Sequence, residues 1–169
     1  GSLSLGSNAA IRAEGNPQGA SGSGAGGSIN LTVGELAGSG VISADGGEST
    51  NGWRGGAGGR VAIRLTGAGH VDATALDIRA GSGYGQRGIS GAGTVYLEDT
   101  RHGANEGILI VDNGGLNTGL RTPMIGGIDV SGFSRFRIAG EGLPEIGTNC
   151  VVDFGALTLD VEGPGESAI

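Results

Sequence analysis

Gly24-Ala25-Gly26-Gly27-Ser28-Ile29-Asn30-Leu31-Thr32-Val33 and, further on, Gly56-Ala57-Gly58-Gly59-Arg60-Val61-Ala62-Ile63 are two copies of one pattern. Each opens on a glycine pair and passes into a run in which every second residue is apolar. Alternation with a period of two belongs to a strand with one buried face. Between the copies, Gly40-Val41-Ile42-Ser43-Ala44-Asp45-Gly46-Gly47 supplies a second strand ending in Ala-Asp-Gly. A polar loop then returns the chain to the next glycine pair.

The pattern continues in both directions. The leading glycines Gly27, Gly59, Gly93 and Gly127 stand 32, 34 and 34 residues apart. A fixed period in this range indicates a stack of repeated units. Helical repeats of similar length are excluded, because apolar residues show no 3.6-residue period and glycine interrupts every run. Collagen is excluded by the lack of a Gly at every third position and by only 4 Pro. A disordered glycine-rich linker would lack the recurrent Val, Ile and Leu.

The expected fold is therefore all-β: a right-handed parallel β-helix, or β-solenoid, of about six coils with a period near 33 residues. Ile29, Val61, Val95 and Ile128 would stack as one interior column. Ile11, Ile42, Ile78, Ile110 and Ile138 would form a second. The hand follows the preference of parallel crossovers. A β-sandwich would need a turn about every 8–12 residues and leaves the long period unexplained. Residues 1–163 read as one domain, and 164–169 as a tail or linker. The pattern begins part-way through a unit, so the chain is expected to belong to a longer array with further domains. Glycine supplies 40 of the 169 residues. Its expected place is at the corners of the stack, where it gives positive φ and close backbone approach.

Net charge is −7, and the ten basic residues are all Arg. An acidic chain is a poor partner for a phosphate backbone, so nucleic acid is not expected. No apolar run is long enough for a membrane-spanning helix, so membrane insertion is not expected either. Cys150 is the only cysteine, which rules out an intrachain disulfide, and its neighbours Val151 and Val152 mark it as a buried thiol. No signal peptide is visible. Gly1-Ser2 resembles a cloning remnant, so an export signal could have preceded it.

Two columns outside the core could carry chemistry. In the loops after the second strand, Arg54, Arg87 and Arg121 recur at spacings of 33 and 34, nearly in phase with the units. Trp53 precedes Arg54, and Tyr84 lies near Arg87. Stacked loops would align these as a stripe of planar donors and aromatic faces, suited to a polysaccharide or cell-surface glycan. The plainer reading is that the aromatics cover the edge of the stack and each Arg bonds to loop carbonyls or a neighbouring acid. At the end of the second strand, Asp45, Asp112 and Asn113 form an acid and amide column together with Glu14 and Glu141. Such oxygens could bind Ca²⁺, but Asp and Asn before Gly are also ordinary turn residues. No other cofactor is expected.

Acid pairs of the kind that cleave polysaccharides would have to come from Asp72, Asp77, Asp99 or Asp129, and spacing alone brings no two of them together. His70 and His102 stand 32 residues apart and could be neighbours, yet two His do not make a zinc site. Gly22-Ser23-Gly24-Ala25-Gly26-Gly27 and Gly81-Ser82-Gly83-Tyr84-Gly85 look like dinucleotide loops but open no helix, and the chain has no Lys for a phosphate loop. A flat Thr ladder for ice is not formed by Thr32, Thr66 and Thr94.

Gly26 to Gly47 and Gly58 to Ile63 together resemble glycine-rich repeats of large secreted or cell-surface, adhesin-like bacterial proteins. The shared form is Gly-Gly-[Ser/Arg]-[Ile/Val]-x-[Leu/Ile], then Gly-Ser-Gly-x-Ile-x-Ala-x-Gly-Gly, then a glycine-rich loop and Gly-Gly-Arg-[Ile/Val]-Ala-[Ile/Val]. The resemblance covers roughly residues 24–65 closely. It implies an extracellular β-helix and transfers no catalytic residue. The functional expectation is a non-enzymatic structural or adhesive segment. A carbohydrate-binding module and a polysaccharide lyase or hydrolase fragment are the alternatives.

Overall fold

The computed structural model describes residues 1–17, 22–50, 52–71, 75–117, 119–124, 132–146 and 157–162. Strands make up almost all of the regular structure among these residues. They are β1 (Ser2–Leu5), β2 (Ala10–Arg12), β3 (Ser28–Val33), β4 (Glu35–Gly38), β5 (Val41–Ser43), β6 (Arg60–Leu65) and β7 (Asp77–Arg79), followed by β8 (Thr94–Glu98), β9 (Ile108–Asp112), β10 (Thr122–Met124), β11 (Arg135–Ala139), β12 (Pro144–Ile146) and β13 (Thr158–Val161). The all-β expectation holds. β6 shows why: in Arg60-Val61-Ala62-Ile63-Arg64-Leu65 the β-branched and aliphatic residues alternate with residues on the wetter face, and Val61, Ile63 and Leu65 are buried.

From β1 to β8 neighbouring units pair in parallel and in register. β3, β6 and β8 form consecutive strands of a six-stranded sheet, with Ile29 beside Val61 and Val61 beside Val95. β2, β5 and β7 form a second sheet, with Ile11 beside Ile42 and Ile42 beside Ile78. β1 pairs with β4. Between the sheets lies a core that includes Ile42, Val61 and Ile63, of which Ile42 and Ile63 have no exposed surface. Truncating Ile63 to Ala should cost about 2–5 kcal/mol.

The expected uniform parallel stack ends at β8. β9 pairs with β8 antiparallel, with Val95 opposite Ile110. β9, β11 and β13 then pair in parallel with one another, as do β10 and β12, so the six-stranded order is β13-β11-β9-β8-β6-β3. Ile110 and Ile138 thus lie in the large sheet, not in the Ile11-Ile42-Ile78 column where the sequence reading placed them. Two tight turns reverse the chain. His102 donates its N–H to the Asp99 carbonyl (3.0 Å), Glu106 donates to Gly103 (3.0 Å), and Asn105 takes φ 65°. The reversal also moves the core across the sheet. Ile108 and Ile110 pack on the first core, while Leu109 and Val111 build a second with Phe136 and Ala92. Ile128 and Cys150 lie outside the described residues, as does the 164–169 tail.

The glycines do more than turn corners. Segments 13–16, 44–47 and 80–83 bond side by side, as in Gly15 N–H to Asp45 O and Gly46 N–H to Gly81 O (2.8 and 2.9 Å). Segments 23–27, 54–59 and 88–93 do the same, as in Gly55 to Gly88 and Gly58 to Gly91 (3.2 and 3.1 Å). These two layers then bond directly to each other: Gly47 N–H to Gly24 O, Gly56 N–H to Gly47 O and Gly83 N–H to Gly56 O, each 2.9 Å. Along 55–59 the partner recurs every third residue. Gly55 and Gly58 face one neighbour, and Gly56 and Gly59 face another. That is the period of an extended three-residue helix rather than of a strand. No side chain fits between layers in backbone contact. A β-carbon on Gly15, Gly26, Gly46 or Gly58 would fall under 3.0 Å from a carbonyl oxygen of the facing layer. Within these segments only Gly88 takes a positive φ; the other positive values lie elsewhere, as at Gly38 and Gly114.

Candidate functional site

The two-layer glycine wall holds the loops that carry Trp53 and Tyr84. Ser49 donates its N–H to the Tyr84 carbonyl (2.8 Å), Arg87 donates to the Trp53 carbonyl (3.3 Å), and the Gln86 side-chain oxygen accepts the Gly52 N–H (2.9 Å). The two loops are therefore laced together, and their register follows from the stack beneath them. Both aromatic rings are turned outward, Trp53 at 47% and Tyr84 at 52% exposure. The Arg54 guanidinium lies over Gly88, so that a β-carbon there would meet its Nη1 at 3.1 Å. Trp53, Arg54, Tyr84 and Arg87 thus lie on two neighbouring, hydrogen-bonded loops. Gln86, which ties the loops, carried no signal of its own.

Arg121 is placed differently. Its backbone lies next to Gly91, one segment further along the stack. Its side chain pairs with Glu145 at 3.2 Å. The remaining arginines divide in the same way. Arg12, Arg64, Arg79, Arg101, Arg135 and Arg137 pair with Glu14, Glu98, Asp45 and Asp77, Asp99, Asp160 and Glu162 respectively. Among the described residues only Arg54, Arg60 and Arg87 form no ion pair.

The oxygens of the acid and amide column are engaged by the protein. Asp45 accepts the Gly81 N–H through Oδ1 (2.7 Å) and pairs with Arg79 through Oδ2 (2.6 Å). Asn113 is fully buried; its Oδ1 accepts the next amide, Ser82 N–H (2.9 Å), and its Nδ2 donates to Leu116 O (2.6 Å). Asp45 and Asn113 thus clamp consecutive amides of one segment. Asp112 closes its own turn on Gly114 N–H (2.7 Å). Among the described residues no group of three or more His, Cys, Asp or Glu is placed to hold a metal ion.

Asp99 is the most heavily bonded acid. Its side chain is fully buried and accepts from Val71 N–H (3.1 Å), from Arg101 N–H and Nε (3.0 Å each) and from Arg101 Nη2 (2.7 Å). Hydrogen bonding from Arg101 outweighs burial and holds this carboxyl well below the usual carboxylate range. His70 Nδ1 and His102 Nδ1 lie 3.8 and 3.3 Å from its two oxygens, so the two histidines meet at one acid. Asp77 is paired with Arg79, while Asp72 and Asp129 lie outside the described residues. Beside the hairpin, Tyr96 hydrogen-bonds Glu98, accepts the Gly107 N–H (3.0 Å) and packs its ring 5.8 Å from that of Phe133. Burial, then the bond to Glu98, push its hydroxyl up to about 12.

Fold and site together define an all-β protein whose laced loops carry two exposed aromatics and two arginines that form no ion pair among the described residues. No protein-family profile, curated protein or solved structure matches the chain.

Proposed function

We propose that this chain is a non-enzymatic structural and adhesive β-solenoid segment of a secreted or cell-surface protein. The observation that carries the reading is the unit-to-unit register, Ile29 on Val61 on Val95 and Ile11 on Ile42 on Ile78. A stack of that kind fills its interior with side chains in one half and with backbone in the glycine wall. Its chemistry is left on the outer loops. Rigidity comes from repetition, since each unit is held by its neighbours. The β8–β9 reversal makes two opposed stacks that share one sheet.

The test is to display the chain on a bacterial cell surface and measure retention of the cells on polysaccharide-coated glass under flow. Retention above that of cells displaying an unrelated domain is expected. Retention no greater than that control, or loss of the polysaccharide coat through cleavage, would overturn the reading.

A further inference from the structure

We infer that the face formed by Trp53, Arg54, Tyr84 and Arg87 binds an acidic polysaccharide, with carboxylate-bearing sugars laid across adjacent loops. The inference rests on the reading of the chain as an adhesive segment and names what that segment grips.

Charge selects the face. In a chain of net charge −7, seven of the ten arginines are matched to acids, and two of the three left without a partner among the described residues are Arg54 and Arg87. Glu48 is the only acid in the two loops. A guanidinium presents a planar fork that matches a carboxylate with two parallel bonds. Exposed Trp and Tyr rings offer flat apolar surface to the C–H face of a sugar. Hydrogen-bonded neighbouring segments lie about 4.8 Å apart. That is close to the length of one pyranose along an extended polymer, so a strand running along the stack would meet one loop per sugar. The overall negative charge opposes any polyanion at long range. Binding must therefore come from these local contacts and not from general attraction.

The experiment is titration of the whole chain with polygalacturonate, with dextran as a neutral control and duplex DNA as a non-sugar polyanion. The variants are Arg54→Ala/Arg87→Ala, Trp53→Ala, the milder Arg54→Lys/Arg87→Lys, and Arg121→Ala as a control outside the face. Circular dichroism checks that each variant keeps its fold. Wild type and Arg121→Ala should bind polygalacturonate but neither dextran nor DNA. Trp53→Ala and the double Ala variant should each lose at least about tenfold in affinity, the loss expected for removing a stacked ring or a bidentate pair. The Lys pair should lose affinity despite its retained charge, and it carries the test if the Ala pair fails to fold. No binding by wild type, equal binding to DNA, or affinity unchanged in both Trp53→Ala and the Lys pair would overturn the inference. Surface retention that persists in these variants would sink the sugar-binding face alone. Polygalacturonate binding without surface retention would sink the adhesive reading alone.

Discussion

The carboxylate of Asp99 accepts the backbone N–H of Val71, 3.1 Å away across the stack, at the point where the chain reverses from β8 into β9. One buried acid thus fixes the turn, the preceding unit and, through Arg101, its own charge balance. Asp99→Asn keeps the size but weakens these charge-assisted bonds. Arg101 is 44% exposed, so solvent screens part of the loss, and a cost of about 2 kcal/mol is expected. The folded carboxyl titrates below its ordinary range. Its contribution is complete above the unfolded value of about 3.9 and is lost as pH falls below it. Urea melts should show the gap between wild type and Asp99→Asn narrowing from pH 7 to pH 3. A gap independent of pH would contradict this role.

Tyr96 titrates at about 12 because burial and Glu98 both disfavour its phenolate. Its contribution to stability is present below the unfolded value of about 10 and is lost as pH rises from there toward 12. In a Tyr84→Phe background, which removes the other tyrosine, ultraviolet titration should show no ionisation until pH approaches 12. Ionisation near pH 10 in a chain that is still folded would refute the burial and pairing described.

Asn113 is a structural clamp, holding Ser82 N–H and Leu116 O. Asn113→Ala leaves the buried Ser82 N–H without an acceptor and should cost about 2 kcal/mol. Replacement of Asn117, exposed and bonded only to Glu141, should change stability by less than about 0.5 kcal/mol. Because the Asp45 and Asn113 oxygens are already bonded, the melting temperature should be the same with added calcium as with chelator. A rise with calcium would show that the column rearranges into a site.

The sequence made some of this legible for specific reasons. The period of the leading glycines and the alternation in Ile29-Asn30-Leu31 and Val61-Ala62-Ile63 report one buried face, so the columns through Ile29, Val61 and Val95, and through Ile11, Ile42 and Ile78, could be read directly. The reversal could not be read from the period, since Ile110 falls at the expected spacing. Its trace lies in composition instead. Ile108-Leu109-Ile110-Val111 is apolar without alternation, as suits a strand buried on both faces. That Trp53, Arg54, Tyr84 and Arg87 fall in neighbouring loops was legible because loops inherit the register of the strands they connect. The fate of Arg121 was not, because Glu145 comes from β12, a short strand that no periodicity marks. The glycine wall was half legible: abundance signals close approach, but only the bond pattern shows which backbones approach.

Backbone layers in direct contact through glycine are the central claim, and Gly56 tests it most directly. Its N–H bonds to Gly47 O of the facing layer, and a β-carbon there would lie against the carbonyl of Gly24, the group that accepts the Gly47 N–H across the layers. Neither backbone can move without disturbing its own neighbours. Gly6 has nothing within 4 Å of the same position. In urea denaturation, Gly56→Ala should cost about 3 kcal/mol or more, or leave the chain unfolded, while Gly6→Ala should stay within about 0.5 kcal/mol of wild type. Equal stability of the two variants would contradict the packed glycine wall and the fold built upon it.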